Sequence, residues 1–127
     1  MSSIALVVVL ALALVACGSS SKSKTPAEPA PVDMRGQTHV NVDAENNQFT
    51  PKHIIVSPGA TVTWTNKDQV AHDVKKTADA VDFGGTFGVD VAKFGPGATY
   101  SFEFTKAGNF PYTCTIHGLM LGSVQVA

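Results

Sequence analysis

Charge is scarce in this sequence. Only 15% of its 127 residues are Asp, Glu, Lys or Arg, and nine bases against ten acids leave a formal net charge of -1. The only clustered bases are Lys22/Lys24 and Lys75/Lys76, so the electrostatic footprint of a phosphate-binding surface is missing and nucleic acid is not an expected partner. Cysteine is almost absent as well. Cys17 and Cys114 can form at most one disulfide, and there is no Cys-x-x-Cys pair. That disfavours a disulfide-stapled miniprotein, iron-sulfur clusters, dinuclear copper sites with two bridging thiolates, and thioredoxin-like dithiol chemistry. Beyond Met1 there are only Met34 and Met120, and no Met- or His-rich tract. No stretch shows a convincing amphipathic helical period. Nor does any apolar run reach the roughly 20 residues a membrane-crossing helix needs.

The longest apolar run, the 13 residues Ile4 to Ala16, has instead the length of a signal-peptide h-region. It ends Leu14-Val15-Ala16-Cys17-Gly18, which resembles the lipobox of bacterial lipoproteins. The resemblance implies a signal peptide over 1–16, cleavage before Cys17, and a diacylated Cys17 as the first mature residue. Met1-Ser2-Ser3 departs from that pattern in carrying no positive charge, which points to a true start codon upstream. The alternative is a plain secretory signal with Cys17 as an ordinary residue. Residues 17–36 are rich in Ser, Lys and Pro and hold too little apolar surface to offset the entropy of ordering, so they read as a disordered tether. The expected location is the cell envelope, with the chain anchored in a membrane and facing the periplasm or the outside.

The remaining unit, 37–127, is large enough for one core. Its hydrophobic period is two. Val40 and Val42, Val62 and Trp64, Tyr100, Phe102 and Phe104, and Val124 and Val126 alternate with polar neighbours, and Ser57-Pro58-Gly59, Asn66-Lys67-Asp68, Gly95-Pro96-Gly97 and Lys106-Ala107-Gly108 separate them. Short half-buried strands at this spacing predict an all-β fold, an antiparallel β-sandwich. Lys75 to Lys93, with three glycines among its aromatics, predicts a short helix, an irregular edge strand, or both.

Phe110, Tyr112 and Cys114 share one parity, which points the thiol toward the core. His117 and Met120 follow at intervals of three, and His72 lies 42 residues earlier, after the turn that ends the Trp64 strand. Each alone has an ordinary reading: Cys114 as a small buried hydrophobe, His117 as a surface residue, Met120 as core filler. Together, a soft thiolate, two imidazoles and a thioether form the set used by copper electron-transfer sites, in which two His and one Cys lie trigonally and Met is a long axial ligand. Zinc accepts the thiolate and imidazoles too, but leaves Met120 without a role. His39 and His53 read as solvated and outside the site, and Trp64 and Tyr112 as core aromatics.

The stretch Tyr112-Thr113-Cys114-Thr115-Ile116-His117-Gly118-Leu119-Met120, followed by Gly122-Ser123-Val124, resembles the blue-copper loop of the cupredoxins. The Cys-x-x-His-x-x-Met spacing is nearest to the amicyanin branch, shorter than in plastocyanin or pseudoazurin. Phe49-Thr50-Pro51, Ile54 to Val56, Gly59, Val62 to Asn66, Asp68 and His72-Asp73-Val74 are similar to the first half of the same fold. The resemblance spans about 40–126. It implies a Greek-key β-sandwich binding one type 1 copper through His72, Cys114, His117 and Met120, and cycling one electron between Cu(II) and Cu(I) without being an enzyme. Asp73 stands where these proteins commonly carry an Asn that ties the ligand loops, so an anion near the thiolate is expected to lower the reduction potential unless it is turned away or paired, with Lys75 or Lys76 as candidates. Gly118 stands where amicyanin-like loops tend to carry Pro.

The resemblance also places the His117 edge at one end of the sandwich amid Gly95, Pro96, Gly118, Leu119 and Leu121, a weakly charged apolar patch suited to brief docking of redox partner proteins by a monomer. Two other function classes remain in play: an envelope copper scavenger or chaperone, and an enzyme built on a Cys114/His117 nucleophile or on part of a multicopper oxidase or nitrite reductase. The second would need further His ligands, and His39 and His53 show no such clustering.

Overall fold

The computed structural model describes residues 18, 25–78, 80 and 82–127. The signal-peptide segment and the expected lipidation residue Cys17 lie outside the described residues. Alternation translates directly into strands: β1 (Val32–Asp33), β2 (His39–Glu45), β3 (Gln48–Thr50), β4 (His53–Val56), β5 (Ala60–Asn66), β6 (Lys75–Lys76), β7 (Thr99–Phe104), β8 (Gly108–Thr113) and β9 (Leu121–Val126). One sheet has the order β1-β4-β9-β8-β6 and the other β3-β2-β5-β7. In β5, every second residue from Ala60 to Asn66 is buried; in β9, Gly122, Val124 and Val126 are. The two buried faces enclose a core centred on Trp64, whose ring lies 5.3 Å from Tyr112 and 5.6 Å from Tyr100. Burial of each such side chain contributes about 1.5–3 kcal/mol.

The sandwich is as expected, but it is not purely antiparallel. β2 pairs with β5, β4 with β9 and β1 with β4 in parallel, while β2/β3, β5/β7, β6/β8 and β8/β9 run antiparallel. A period of two reports which face a residue occupies and is silent on strand direction. Direction is set by the chain crossing between sheets from β3 to β4 and again from β4 to β5, which brings non-consecutive strands side by side.

The segment from Lys75 to Lys93 is both things expected of it: β6 at a sheet edge, a bridge between Val74 and Val89, and a single 3-10 turn at Val91–Lys93. It lays Phe83 and Phe87, stacked at 4.2 Å, over the open side of the core. Part of the stretch 17–36, expected to be disordered, is ordered. Val32–Asp33 adds to the sheet edge beside Ile54–Ile55, and Met34 packs on the core. Backbone pairing to an open edge holds this polar, Pro-rich stretch, and pairing of that kind leaves no trace in composition.

Candidate metal centre

β5 delivers the first ligand loop. Its last residue, Asn66, is buried and its side chain makes three bonds: the amide donates to the Val70 carbonyl at 2.9 Å and the Phe94 carbonyl at 3.0 Å, and its oxygen accepts from the Asp68 N–H at 2.9 Å. The His72 N–H donates to the same Phe94 carbonyl at 3.1 Å. These bonds fold 66–72 back over the end of the sandwich. His72 is fully buried there, with Nε2 at 2.8 Å from a carboxylate oxygen of Asp68. An Nε2–H donated to that carboxylate leaves the lone pair on Nδ1, aimed into the site.

Asp68 is itself anchored from a third direction. The β2–β3 turn, Asn46-Asn47, has φ of 55° at both residues, which Asn tolerates better than most side chains. The turn presents its N–H groups to Asp68 at 2.7 and 3.0 Å. These bonds, that of Asn47 foremost, followed by His72 and Asn46, hold the Asp68 carboxyl below the usual carboxylate range against the opposing cost of burial.

The second ligand loop joins β8 to β9. The Cys114 N–H donates to the Met120 carbonyl at 2.9 Å, and the Thr113 hydroxyl to the same oxygen at 3.1 Å, closing the loop at its base. Cys114 and Met120 are buried, while His117 is half-buried. Across the two loops, His72 Nδ1 and His117 Nδ1 are 3.0 Å apart, and Cys114 Sγ lies 3.8 Å from the former and 3.6 Å from the latter. A point equidistant from these three atoms is about 2.0 Å from each, within the roughly 2.0–2.3 Å of metal–nitrogen and metal–sulfur bonds. Among the described residues, His72, Cys114 and His117 form the one His/Cys/Asp/Glu group able to hold an ion.

Asp73 joins the loops, and its partner is not Lys75 or Lys76. Its N–H points at Cys114 Sγ at 3.5 Å, one carboxylate oxygen accepts from the Thr115 N–H at 2.6 Å, and the other accepts from the Thr115 hydroxyl. Lys75 pairs with Asp90 instead. The Asp73 side chain thus does the tying expected of Asn.

His39 and His53 stay outside the group, as expected. His53 is not simply solvated, however: Nδ1 meets Ser123 Oγ and Nε2 meets Glu28, each at 2.7 Å. Tyr112 is a core aromatic, edge-on to Phe49 and Trp64. Sequence reasoning missed the positioning roles of Asn66, Asp68 and Thr115. The one available signal was an Asn-x-Asp turn four residues before a His.

A β-sandwich carrying a buried thiolate and two imidazoles on adjoining end loops defines a cupredoxin-type copper protein. Residues 36–127 match the copper binding proteins of the plastocyanin/azurin family, and the chain belongs to that family. Amicyanin from Paracoccus denitrificans is 33% identical over 85 residues, covering 67% of this chain and 63% of that protein, so the chain spans somewhat under two thirds of that relative's length. Amicyanin-alpha from Methylorubrum extorquens is 32% identical over 95 residues, 72% of each chain. Among solved structures, the reduced state of an amicyanin variant superposes with a TM-score of 0.60 at 30% identity, covering 70% of this chain and 82% of that one. A copper-containing nitrite reductase from Thermus scotoductus superposes at 0.61 and 30% identity, covering 80% of this chain but 23% of the enzyme. Copper is the cofactor that the family and the donor set agree on.

Proposed function

We propose that the protein is an exported, membrane-tethered one-electron carrier in which His72, Cys114, His117 and Met120 would hold one type 1 copper. The convergence of two Nδ1 atoms and one Sγ on a point at bonding distance carries this reading. Copper in such a set supplies a Cu(II)/Cu(I) couple. The residues supply a fixed geometry. His72 is braced by Asp68, the two loops are joined through Asp73 and Thr115, and the β8–β9 base is closed by backbone bonds, so little has to move when one electron arrives or leaves.

His117 is half-buried, and on the two ligand loops and the start of β9 the apolar side chains of Ile116, Leu119, Leu121 and Val70 are exposed, Leu119 to 90%. Leu119 also has a φ of 65°, a conformation that costs a non-glycine residue about 1 kcal/mol or more. A leucine both strained and solvated gains nothing for folding, which supports a docking role for these side chains with redox partner proteins. Cys17, if acylated, supplies the membrane attachment; incorporation of labelled palmitate that disappears in Cys17→Ser tests that part directly.

The carrier function is tested by repeated cycles of ascorbate reduction and reoxidation in the presence of a Cu(I) chelator. Full spectral recovery over many cycles, with copper retained, is the expected result. Progressive loss of copper to the chelator would instead favour a scavenger or chaperone.

A further inference from the structure

The chain enters this domain twice over, from opposite ends. β2 starts at the end far from the metal: His39 pairs with Thr61 at the start of β5, whereas Asn66, at the other end of β5, borders the His72 loop. A tether joined directly to β2 would therefore hold the domain by its far end. The segment 28–36 reverses this. β1 runs parallel to β4, and β4 parallel to β9, whose first residue, Leu121, follows Met120. The N-terminal end of the segment consequently lies at the metal end, and its other end, where the Gly36 N–H meets Ser57 Oγ, lies at the far end.

The segment is fastened along its length. Glu28 bonds Lys52 and His53, and His53 passes the contact on to Ser123 of β9. The Met34 N–H donates to the Ile55 carbonyl at 2.8 Å. Between these points Pro29 and Pro31 bridge a groove over His53 and Gln125, and their fixed φ angles resist bending. Two strand spacings, about 10 Å, separate β1 from β9.

We infer that this strap turns the domain over relative to its anchor, so that the metal end and its Leu119/Leu121/Ile116 rim face the membrane and dock onto an integral membrane redox protein whose electron-exchanging group lies close to the bilayer surface. The inference rests on the proposed anchoring at Cys17. The eleven residue steps from Cys17 to Glu28 span at most about 40 Å. Held from the far end, the same chain would place the rim farther off by the length of a seven-residue strand, about 23 Å.

The test uses the full acylated chain in phosphatidylcholine vesicles whose headgroups carry a fluorescence quencher. A dye is attached at Lys67→Cys, exposed at the metal end, or at Lys106→Cys, exposed at the far end. Stronger quenching at position 67 is expected. Replacing 26–35 with Gly/Ser of equal length should reverse the order, and Glu28→Lys, which sets a cation against Lys52 and His53, should narrow the difference; unchanged visible spectra check that both variants fold. Equal quenching at both positions in the unmodified chain, or an order unaffected by replacing the strap, overturns the strap's role. Failure of the unmodified chain to float with vesicles overturns the anchoring and the membrane partner with it. Flotation of Cys17→Ser would show the rim binding lipid itself and overturn the protein partner. Ferrocenium-bearing headgroups supply a second readout, standing in for a membrane-held acceptor. Each ferrocenium takes one electron from the reduced protein, and strap replacement should slow this about tenfold while exchange with soluble ferricyanide stays constant.

Discussion

Asp73 is 5% exposed and carries a formal charge beside a thiolate that its own N–H faces at 3.5 Å. Asp73→Asn keeps that N–H and keeps an oxygen for the Thr115 N–H, while removing the charge. A negative side chain in the loop that faces the thiolate favours Cu(II), so the variant's reduction potential should rise by on the order of 100 mV, measured by voltammetry; an unchanged or lower potential would show that the bonds to Thr115 already offset the charge. Gly122 is constrained differently. A Cβ there would sit 2.4 Å from the Tyr112 ring, so Gly122→Ala should cost about 1–3 kcal/mol in urea denaturation and disturb the adjoining Met120 loop. The convergence of His72, Cys114 and His117 was legible because a cysteine and two histidines in this pattern have few other uses. Asp73's partner was not. Lys75 and Lys76 are near in sequence, but Thr115, 42 residues away, is near in space, and only the folded loops reveal which is closer.

At the scale of elements, two separate pieces of chain meet on Asp68: the β2–β3 turn, and its own loop through His72. Its folded-state pKa lies below the ordinary 3.8, so its contribution to stability is present above that value and is lost as pH falls through the lower folded value. Asp68→Ala should therefore lose about 1 kcal/mol near neutral pH, and the gap from the parent protein should close in strong acid, as read from paired denaturation curves at the two pH values. A gap that widened in acid would contradict the assignment. Strands such as β2, β5 and β9 were legible because each buries one face and exposes the other. Their parallel neighbours were not, since alternation carries no direction. The strap at Val32–Asp33 was invisible for a related reason: proline and small polar residues compose a free linker and a docked edge strand alike.

As a whole, the domain is a sandwich whose two end loops already bring His72, Cys114 and His117 together, so copper bound there by the folded state alone should stabilise it over the unfolded one. At free metal a hundredfold above the dissociation constant the gain is about 2.7 kcal/mol, and for a domain near 91 residues this corresponds to roughly 10–20 °C in Tm. Calorimetry with and without copper checks it; equal Tm values would mean that the folded domain does not bind the metal appreciably. The overall architecture was legible in advance because a core of alternating Val, Trp and Phe needs two facing sheets, whereas the docking of residues 32–34 on the sheet edge depends on a few contacts that no pattern announces. The central claim is that His72, Cys114 and His117 hold one copper through a thiolate bond, and the visible spectrum of residues 18–127 loaded with one Cu(II) tests it most directly. An intense blue band that bleaches with one electron equivalent and is absent in Cys114→Ser is the predicted result; a colourless or pale protein that still binds copper would contradict it.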